Sequence, residues 1–200
     1  MLLVLTAWLF GGIPPLPPIL PGASPTASAP PVATQPSSTA VESEFIEFVA
    51  TADAYVFAGR PELKYGTAPE LRVDADPETL TYLEFTVSGI ARPVLGARLR
   101  IHALGRQIQG FQVRTVHGAW SESQLTYGAQ PAQGDLAGRS GLISGEAWVE
   151  VALTSAIAGD GRYSFVLFTT STTAVAFASR EAGASTAPRL VIEVAKLPAV

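Results

Sequence analysis

The sequence predicts an all-β protein, an antiparallel β-sandwich of about nine strands in a jelly-roll-like arrangement. The first observation is that apolar and polar side chains alternate with a period of two, as where Leu83, Phe85 and Val87 alternate with Glu84 and Thr86. The second is that apolar residues nowhere recur at helical spacing over three turns. Clusters of Gly, Pro, Asp and Ser separate most of the alternating segments, as expected for short strands joined by turns.

In chain order, each predicted strand is a short apolar alternation, and most end at turn sequences such as Asp74-Ala75-Asp76-Pro77 or Gly159-Asp160-Gly161. The segment 163–168 is apolar on both faces, which predicts a strand buried on both sides. Ser121 and Thr154 are predicted to cap single helical turns. The strands are predicted at residues 44–49, 54–57, 71–74, 82–87, 98–103, 111–116, 148–153, 163–168 and 190–194, with Val175 and Phe177 before the last.

The first 41 residues differ in composition from the rest, because no charged side chain precedes Glu42. The apolar run Leu2–Ile13 is too short for a bilayer core of ~30 Å, but it suits a signal peptide, and Ala27-Ser28-Ala29 fits a cleavage site. No Lys or Arg precedes the run, so an apolar leader of another kind is the alternative. We therefore expect a secreted protein, or one held at the cell surface. Its predicted parts are a signal peptide or apolar leader at 1–29, a Pro/Ser/Thr/Ala-rich linker at 30–43 and a β-sandwich at 44–196.

Composition excludes several functional classes. The absence of cysteine excludes a disulfide framework, a zinc finger, a thiol nucleophile and a lipid-modified cysteine. The two histidines, His102 and His117, leave little for metal-dependent or triad chemistry. A net charge of −4 predicts no bulk attraction to nucleic acid. No phosphate-loop, dinucleotide, nucleophile-elbow or zinc-protease motif occurs, so the sequence does not predict an enzyme.

The strongest candidate for ligand binding is a basic strip on one predicted strand. Arg98, Arg100 and His102 alternate with apolar residues and are expected on the outward face. Arg114 lies on the following strand and would stand nearby if the two strands form a hairpin. Guanidinium groups pair well with carboxylates, so the strip suggests an acidic polysaccharide as ligand. The alternative is an ordinary solvated sheet face.

A second candidate is the loop segment 120–127, which contains Trp120 and Tyr127. Aromatic rings in such a loop can supply flat faces for stacking sugar rings. The alternative is that Trp120 plugs one end of the core.

Acidic residues in predicted turns form a third group, which consists of Asp53, Asp74, Asp76 and Glu181. Carboxylate oxygens favour calcium, but their spacing matches no known calcium loop, and turn hydrogen bonds or a contact with Arg180 are the alternative roles. Glu122 and Glu181 could in principle form a catalytic carboxylate pair of the glycosidase type. No cofactor is expected, with calcium as the alternative.

Short motifs occur in a fixed order along the predicted sandwich. They are Ala52-Asp53-Ala54-Tyr55-Val56, Tyr65-Gly66, Leu71-Arg72-Val73-Asp74, Tyr82-Leu83-Glu84-Phe85, Ala97-Arg98-Leu99-Arg100, Trp120-Ser121-Glu122, Thr126-Tyr127, Trp148-Val149-Glu150-Val151, Leu153-Thr154-Ser155-Ala156, Phe177-Ala178-Ser179-Arg180-Glu181 and Pro188-Arg189-Leu190. This string resembles the DNRLRE domain family, also classed as carbohydrate-binding module family 96, from about Glu47 to Val194. The sequence departs from the family at Glu84, where members often have a basic residue, and at Ala152, where they often have Asp. The literal string DNRLRE is absent.

The resemblance implies a secreted, non-catalytic β-sandwich module of the kind found on larger extracellular proteins. Some members of the family bind alginate, a polyuronate. With the basic strip, it predicts recognition of an acidic polysaccharide, in which Arg98, Arg100 and Arg114 pair with carboxylates while Trp120 or Tyr127 packs a sugar face. The alternative is a structural or adhesion module of an extracellular or cell-surface assembly. We expect no nucleic-acid partner and no membrane span by the folded domain.

Overall fold

The alternation of apolar side chains builds an antiparallel β-sandwich with a jelly-roll-like arrangement, which confirms the predicted fold class. The computed structural model describes residues 42–196; the predicted leader and residues 30–41 of the predicted linker lie outside the described residues. Three single turns of 3₁₀ helix occur at Tyr127–Ala129, Thr154–Ala156 and Arg180–Ala182. The strands are β1 (Ser43–Val49), β2 (Ala52–Phe57), β3 (Glu70–Ala75), β4 (Glu78–Val87), β5 (Val94–Ala103), β6 (Gln112–His117), β7 (Ala132–Arg139), β8 (Ala147–Ala152), β9 (Gly161–Phe168), β10 (Val175–Ala178) and β11 (Arg189–Ala195).

The strands form two layers. The first sheet has the order β1-β11-β5-β8, and the second has the order β2-β4-β9-β6-β7. Strands β3 and β10 pair with each other and join the layers, because β3 also pairs with β4 and β10 with β5. The first and last strands pair over their whole length, from Ser43 opposite Ala195 to Val49 opposite Arg189.

The main core lies between the two sheets. Its large buried side chains include Phe85 and Phe165 of the second sheet, with Phe111 and Phe177 packed edge to face at 5.1 Å between ring centroids. Full burial of such a side chain contributes about 1.5–3 kcal/mol to the free energy of unfolding. This core fixes the orientation of each strand, so the residues that alternate with it must point outward.

A second apolar cluster lies on the outer face of the second sheet. Tyr82 of β4 and Val166 of β9 contribute to it, and Leu125 of the segment between β6 and β7 packs over them. Strand β9 therefore has buried side chains on both faces, as its sequence predicts.

Two local predictions have different outcomes, and one strand is absent from the predictions. The turn after Ser121 forms, since the Leu125 N–H donates to the Ser121 carbonyl at 2.9 Å, but the Ser121 hydroxyl pairs with the Ser123 hydroxyl at 3.1 Å instead of capping a backbone N–H. The predicted cap at Thr154 is wrong, because its hydroxyl instead accepts a hydrogen bond from the Ala97 N–H at 3.2 Å. Strand β7 was not predicted, because it is an edge strand with mostly exposed side chains and no apolar alternation.

Candidate functional site

The outer face of the first sheet carries three arginines in one group. Alternation along β5 turns Leu99 into the core and leaves Arg98 and Arg100 outward. The strand register places Arg100 opposite Glu150 of β8 and opposite Arg189 of β11. We define the arginine face as this group with its contacting neighbours, which are Phe45, Glu47, Arg98, Arg100, Trp148, Glu150 and Arg189.

Ion pairs connect the charged side chains of the arginine face. Glu150 lies 3.2 Å from Nε of Arg98 and 3.0 Å from Nε of Arg100. Glu47 accepts hydrogen bonds from Arg100 at 3.2 Å and from Arg189 at 2.6 Å. The hydrogen bond from Arg189, with the charge of Arg100 beside it, holds the pKa of Glu47 below its ordinary value. In these ion pairs three guanidinium groups face two carboxylates.

Two aromatic rings flank the guanidinium groups. The central carbon of Arg98 lies 4.8 Å from the ring centroid of Phe45, and that of Arg100 lies 4.9 Å from the ring of Trp148. These cation–π contacts help to fix the positions of the two guanidinium groups. Phe45 is 52% exposed, so part of its ring remains available to a ligand. The arginine face thus combines ordered guanidinium groups with accessible aromatic surface.

Arg114 does not belong to the arginine face, so the predicted proximity is wrong. Strand β5 pairs in the first sheet and β6 in the second, where β6 contacts β7 and β9, so the expected hairpin does not form. The guanidinium of Arg114 lies 5.2 Å from the Phe168 ring centroid on the second sheet.

Trp120 and Tyr127 lie at the second apolar cluster rather than beside Arg98 and Arg100. Trp120 packs edge to face on Tyr82 at 5.9 Å, and its indole N–H donates to the Ser164 hydroxyl at 3.3 Å. The Tyr127 hydroxyl donates to Glu78 at 2.7 Å. Trp120 therefore packs against apolar side chains, as in its alternative role, but on the second apolar cluster rather than at one end of the main core. The half-buried Trp120 also lines a cleft of about 610 Å³, in which the buried Glu84 pairs with Arg162 at 2.7 Å.

A second concave surface was not found from the sequence. Tyr55 and Tyr65 stack with ring centroids 4.2 Å apart, and they line a groove of about 330 Å³ with Phe57 and Arg72. We call this the tyrosine groove. Its charged lining residues are Arg72 and Asp74, and Glu70 pairs with Arg72 at 3.1 Å. A signal existed in the sequence, because Tyr55 and Phe57 alternate with the buried Ala54 and Val56, so β2 carries two aromatic rings on its other face.

The acidic residues predicted in turns lie at two separate sites. The Asp76 N–H donates to the Asp74 carboxylate at 3.3 Å, which confirms a turn role for Asp74. Asp53 and Glu181 instead meet Glu122, which lies beside Arg180. Burial raises the pKa of Asp53 to about 7, and the neighbouring charges of Glu181 and Glu122 add to this rise. The expected contact between Arg180 and Glu181 is confirmed at 3.2 Å.

Comparison with known protein families identifies a match over the β-sandwich. The family described as carbohydrate-binding module family 96 matches residues 44–194, which is most of the chain. No curated protein matches the sequence. Among residues 42–196, no helix has the length and apolar character needed to cross a membrane.

Proposed function

This chain belongs to carbohydrate-binding module family 96, and we propose that its β-sandwich binds an acidic polysaccharide, a polyuronate such as alginate, on the arginine face. A carbohydrate partner follows from the family. The acidic character of the ligand rests on one observation, the grouping of three arginines on one sheet face, where Arg98 and Arg100 each contact an aromatic ring and Arg189 pairs with Glu47.

The spacing of the guanidinium groups suits a regular polyanion. Arg98 and Arg100 project from the same face two residues apart, which is about 7 Å along the strand. Arg189 lies opposite Arg100 on the neighbouring strand. A polyuronate carries a carboxylate on every sugar, so one chain lying on the sheet could meet several guanidinium groups.

The ion pairs leave donors for such a ligand. Within residues 42–196, Arg98 approaches Glu150 through Nε, and Arg100 uses Nε and Nη1. Both terminal nitrogens of Arg98 and Nη2 of Arg100 can therefore donate to ligand carboxylates. Phe45 and Trp148 would pack against the C–H faces of the sugar rings. In this proposal they replace Trp120 and Tyr127, which lie on the other sheet.

Isothermal titration of the full chain with oligouronate and with a neutral glucan tests the proposal. We expect binding to the oligouronate, weakened as salt rises because exposed charges are screened, and little response to the glucan. The double variant Arg98→Gln, Arg100→Gln should lose at least about tenfold in affinity. The matched control Arg72→Gln changes an arginine of the tyrosine groove and should bind as the wild type does. Equal binding to both glycans, or loss only in Arg72→Gln, would contradict the proposal.

A neutral glycan in the tyrosine groove is a second candidate, favoured by the stacked pair Tyr55 and Tyr65. It predicts glucan binding that Tyr55→Ala abolishes and that salt leaves unchanged. A structural or adhesion role in an extracellular assembly predicts no response to any glycan.

We further propose that the module acts outside the cell, secreted or held at the cell surface. The apolar run Leu2–Ile13 and the motif Ala27-Ser28-Ala29 support this, because together they fit a cleavable signal peptide.

A further inference from the structure

Three acidic side chains from distant parts of the sequence meet at one end of the second sheet. Asp53 belongs to β2, Glu122 to the segment between β6 and β7, and Glu181 to the 3₁₀ turn Arg180–Ala182. Each offers a carboxylate oxygen, and these oxygens lie within 4.8 Å of one another. The fold therefore assembles a cluster that no local sequence spacing reveals.

Arg180 balances only part of the negative charge. Its guanidinium donates to both oxygens of Glu122, at 2.9 and 2.8 Å, and lies 3.2 Å from Glu181. Its backbone N–H donates to Oδ2 of Asp53 at 2.8 Å, and the Asp53 N–H donates to Oε1 of Glu122 at 2.8 Å. Three carboxylates around one guanidinium leave the cluster with two negative charges when all are ionised.

The environment of the other Asp53 oxygen, Oδ1, points to a ligand. Asp53 is 1% exposed, and its Oδ1 has no hydrogen-bond partner among residues 42–196. A buried carboxylate oxygen without a partner is strongly destabilising, so native proteins supply one. The Asp53 carboxylate lies within the acidic cluster, so the missing partner must be cationic or a proton donor that fits between carboxylates.

We propose that Asp53, Glu122 and Glu181 bind a calcium ion, with Oδ1 of Asp53 as its buried ligand. Calcium binds oxygen at about 2.4 Å, so one ion can contact ligand oxygens up to about 4.8 Å apart, and the three carboxylate oxygens lie within 4.8 Å of one another. Its two charges neutralise the excess of the cluster. Magnesium fits less well, because it requires near-octahedral ligands at about 2.1 Å. Waters or backbone carbonyls would complete the coordination.

The consequence is structural. A cation shared by these residues would tie β2 to the segment that carries Trp120 and to the turn before β11. This site is separate from the arginine face, and the proposal does not depend on the identity of the glycan.

The test is titration of the full chain, first stripped with EDTA, with CaCl2 or MgCl2, followed by thermal unfolding. We expect heat of binding for calcium and a rise in Tm of about 3–10 °C at about 10 mM CaCl2. The absence of both in the wild type would overturn the proposal. An equal rise with MgCl2 would overturn the choice of calcium.

Glu181→Gln is the informative variant, because the Glu181 side chain is 26% exposed and the change is not expected to prevent folding. In EDTA it should unfold at the same or a higher temperature than the wild type, since it removes carboxylate repulsion. In calcium it should be the less stable protein, with at least tenfold weaker calcium binding. Glu146→Gln, an exposed acid near β8, is the matched control and should keep the full response. Equal loss of stability with and without calcium would show a purely structural role and overturn the proposal.

Discussion

Replacement of Glu47 by Gln should strengthen polyuronate binding while it weakens the fold. Glu47 holds Arg100 at 3.2 Å and Arg189 at 2.6 Å, so it competes with any ligand carboxylate for their donors. Removal of its charge makes the arginine face more positive by one unit. A unit charge about 4 Å away is worth about 1 kcal/mol in water, which corresponds to roughly fivefold in affinity.

The stability of the Glu47→Gln variant should change in the opposite sense. The Glu47 side chain is 38% exposed, so solvent screening limits its two ion pairs to about 0.5–1 kcal/mol together. The pKa of Glu47 is lowered in the folded state, chiefly by the hydrogen bond from Arg189. A lowered pKa stabilises the fold above the pKa of the unfolded chain, and this contribution is lost as pH falls through the folded value. The difference in Tm between wild type and variant should therefore be about 1–4 °C at neutral pH and should vanish in acid.

Isothermal titration at low and high salt, with thermal unfolding at neutral and acid pH, measures both effects. The matched control is Glu62→Gln, an exposed acid in the loop after β2, which should change neither quantity. Unchanged or weaker polyuronate binding by the Glu47→Gln variant would refute the proposal that the arginine face receives the ligand carboxylates.

Three further predictions concern the core, the loop contacts and the leader. Phe177→Ala should lower the free energy of unfolding by about 3–5 kcal/mol in urea denaturation, because Phe177 is fully buried against Phe111. Phe45→Ala, at an exposed position, should lower it by less than about 1 kcal/mol. Equal losses in the two variants would contradict the assigned core. Gly66→Ala should lower Tm by several degrees in a thermal melt, because its new Cβ would overlap the carbonyl oxygen of Glu122, and a wild-type Tm would contradict this close packing. Mass spectrometry of protein secreted by an exporting host should show an N-terminus at Pro30, and an intact leader on the secreted protein would contradict cleavage after Ala29.

The sequence predicts those strands whose buried side chains appear as a regular pattern of apolar residues. Strand β9 has apolar residues on both faces, and the structure places Phe165 in the main core and Val166 in the second cluster. Strand β7 leaves no such pattern, because its side chains, including Gln133 and Asp135, face solvent at the edge of the sheet. Backbone pairing with β6 defines this strand, and pairing is not encoded in local alternation.

The sequence likewise predicts only part of the candidate site. Alternation along one strand is enough to place Arg98 and Arg100 outward. The neighbours that complete the arginine face come from β1, β8 and β11, and only the long-range register brings Glu47, Trp148 and Arg189 to them. The error over Arg114 has the same cause, because consecutive strands of a jelly-roll-like sandwich need not lie in the same sheet. Asp53, Glu122 and Glu181 likewise meet only through the fold.

The most direct test of the central claim is an NMR titration of the full chain with an oligouronate, followed through the indole N–H signals of Trp148 and Trp120 and the backbone amides of β5. We expect the signals of Trp148 and of the amides around Arg98 and Arg100 to shift together with a single affinity, while the Trp120 signal does not shift. Shifts confined to Trp120 or to the tyrosine groove, with β5 unchanged, would contradict the central claim.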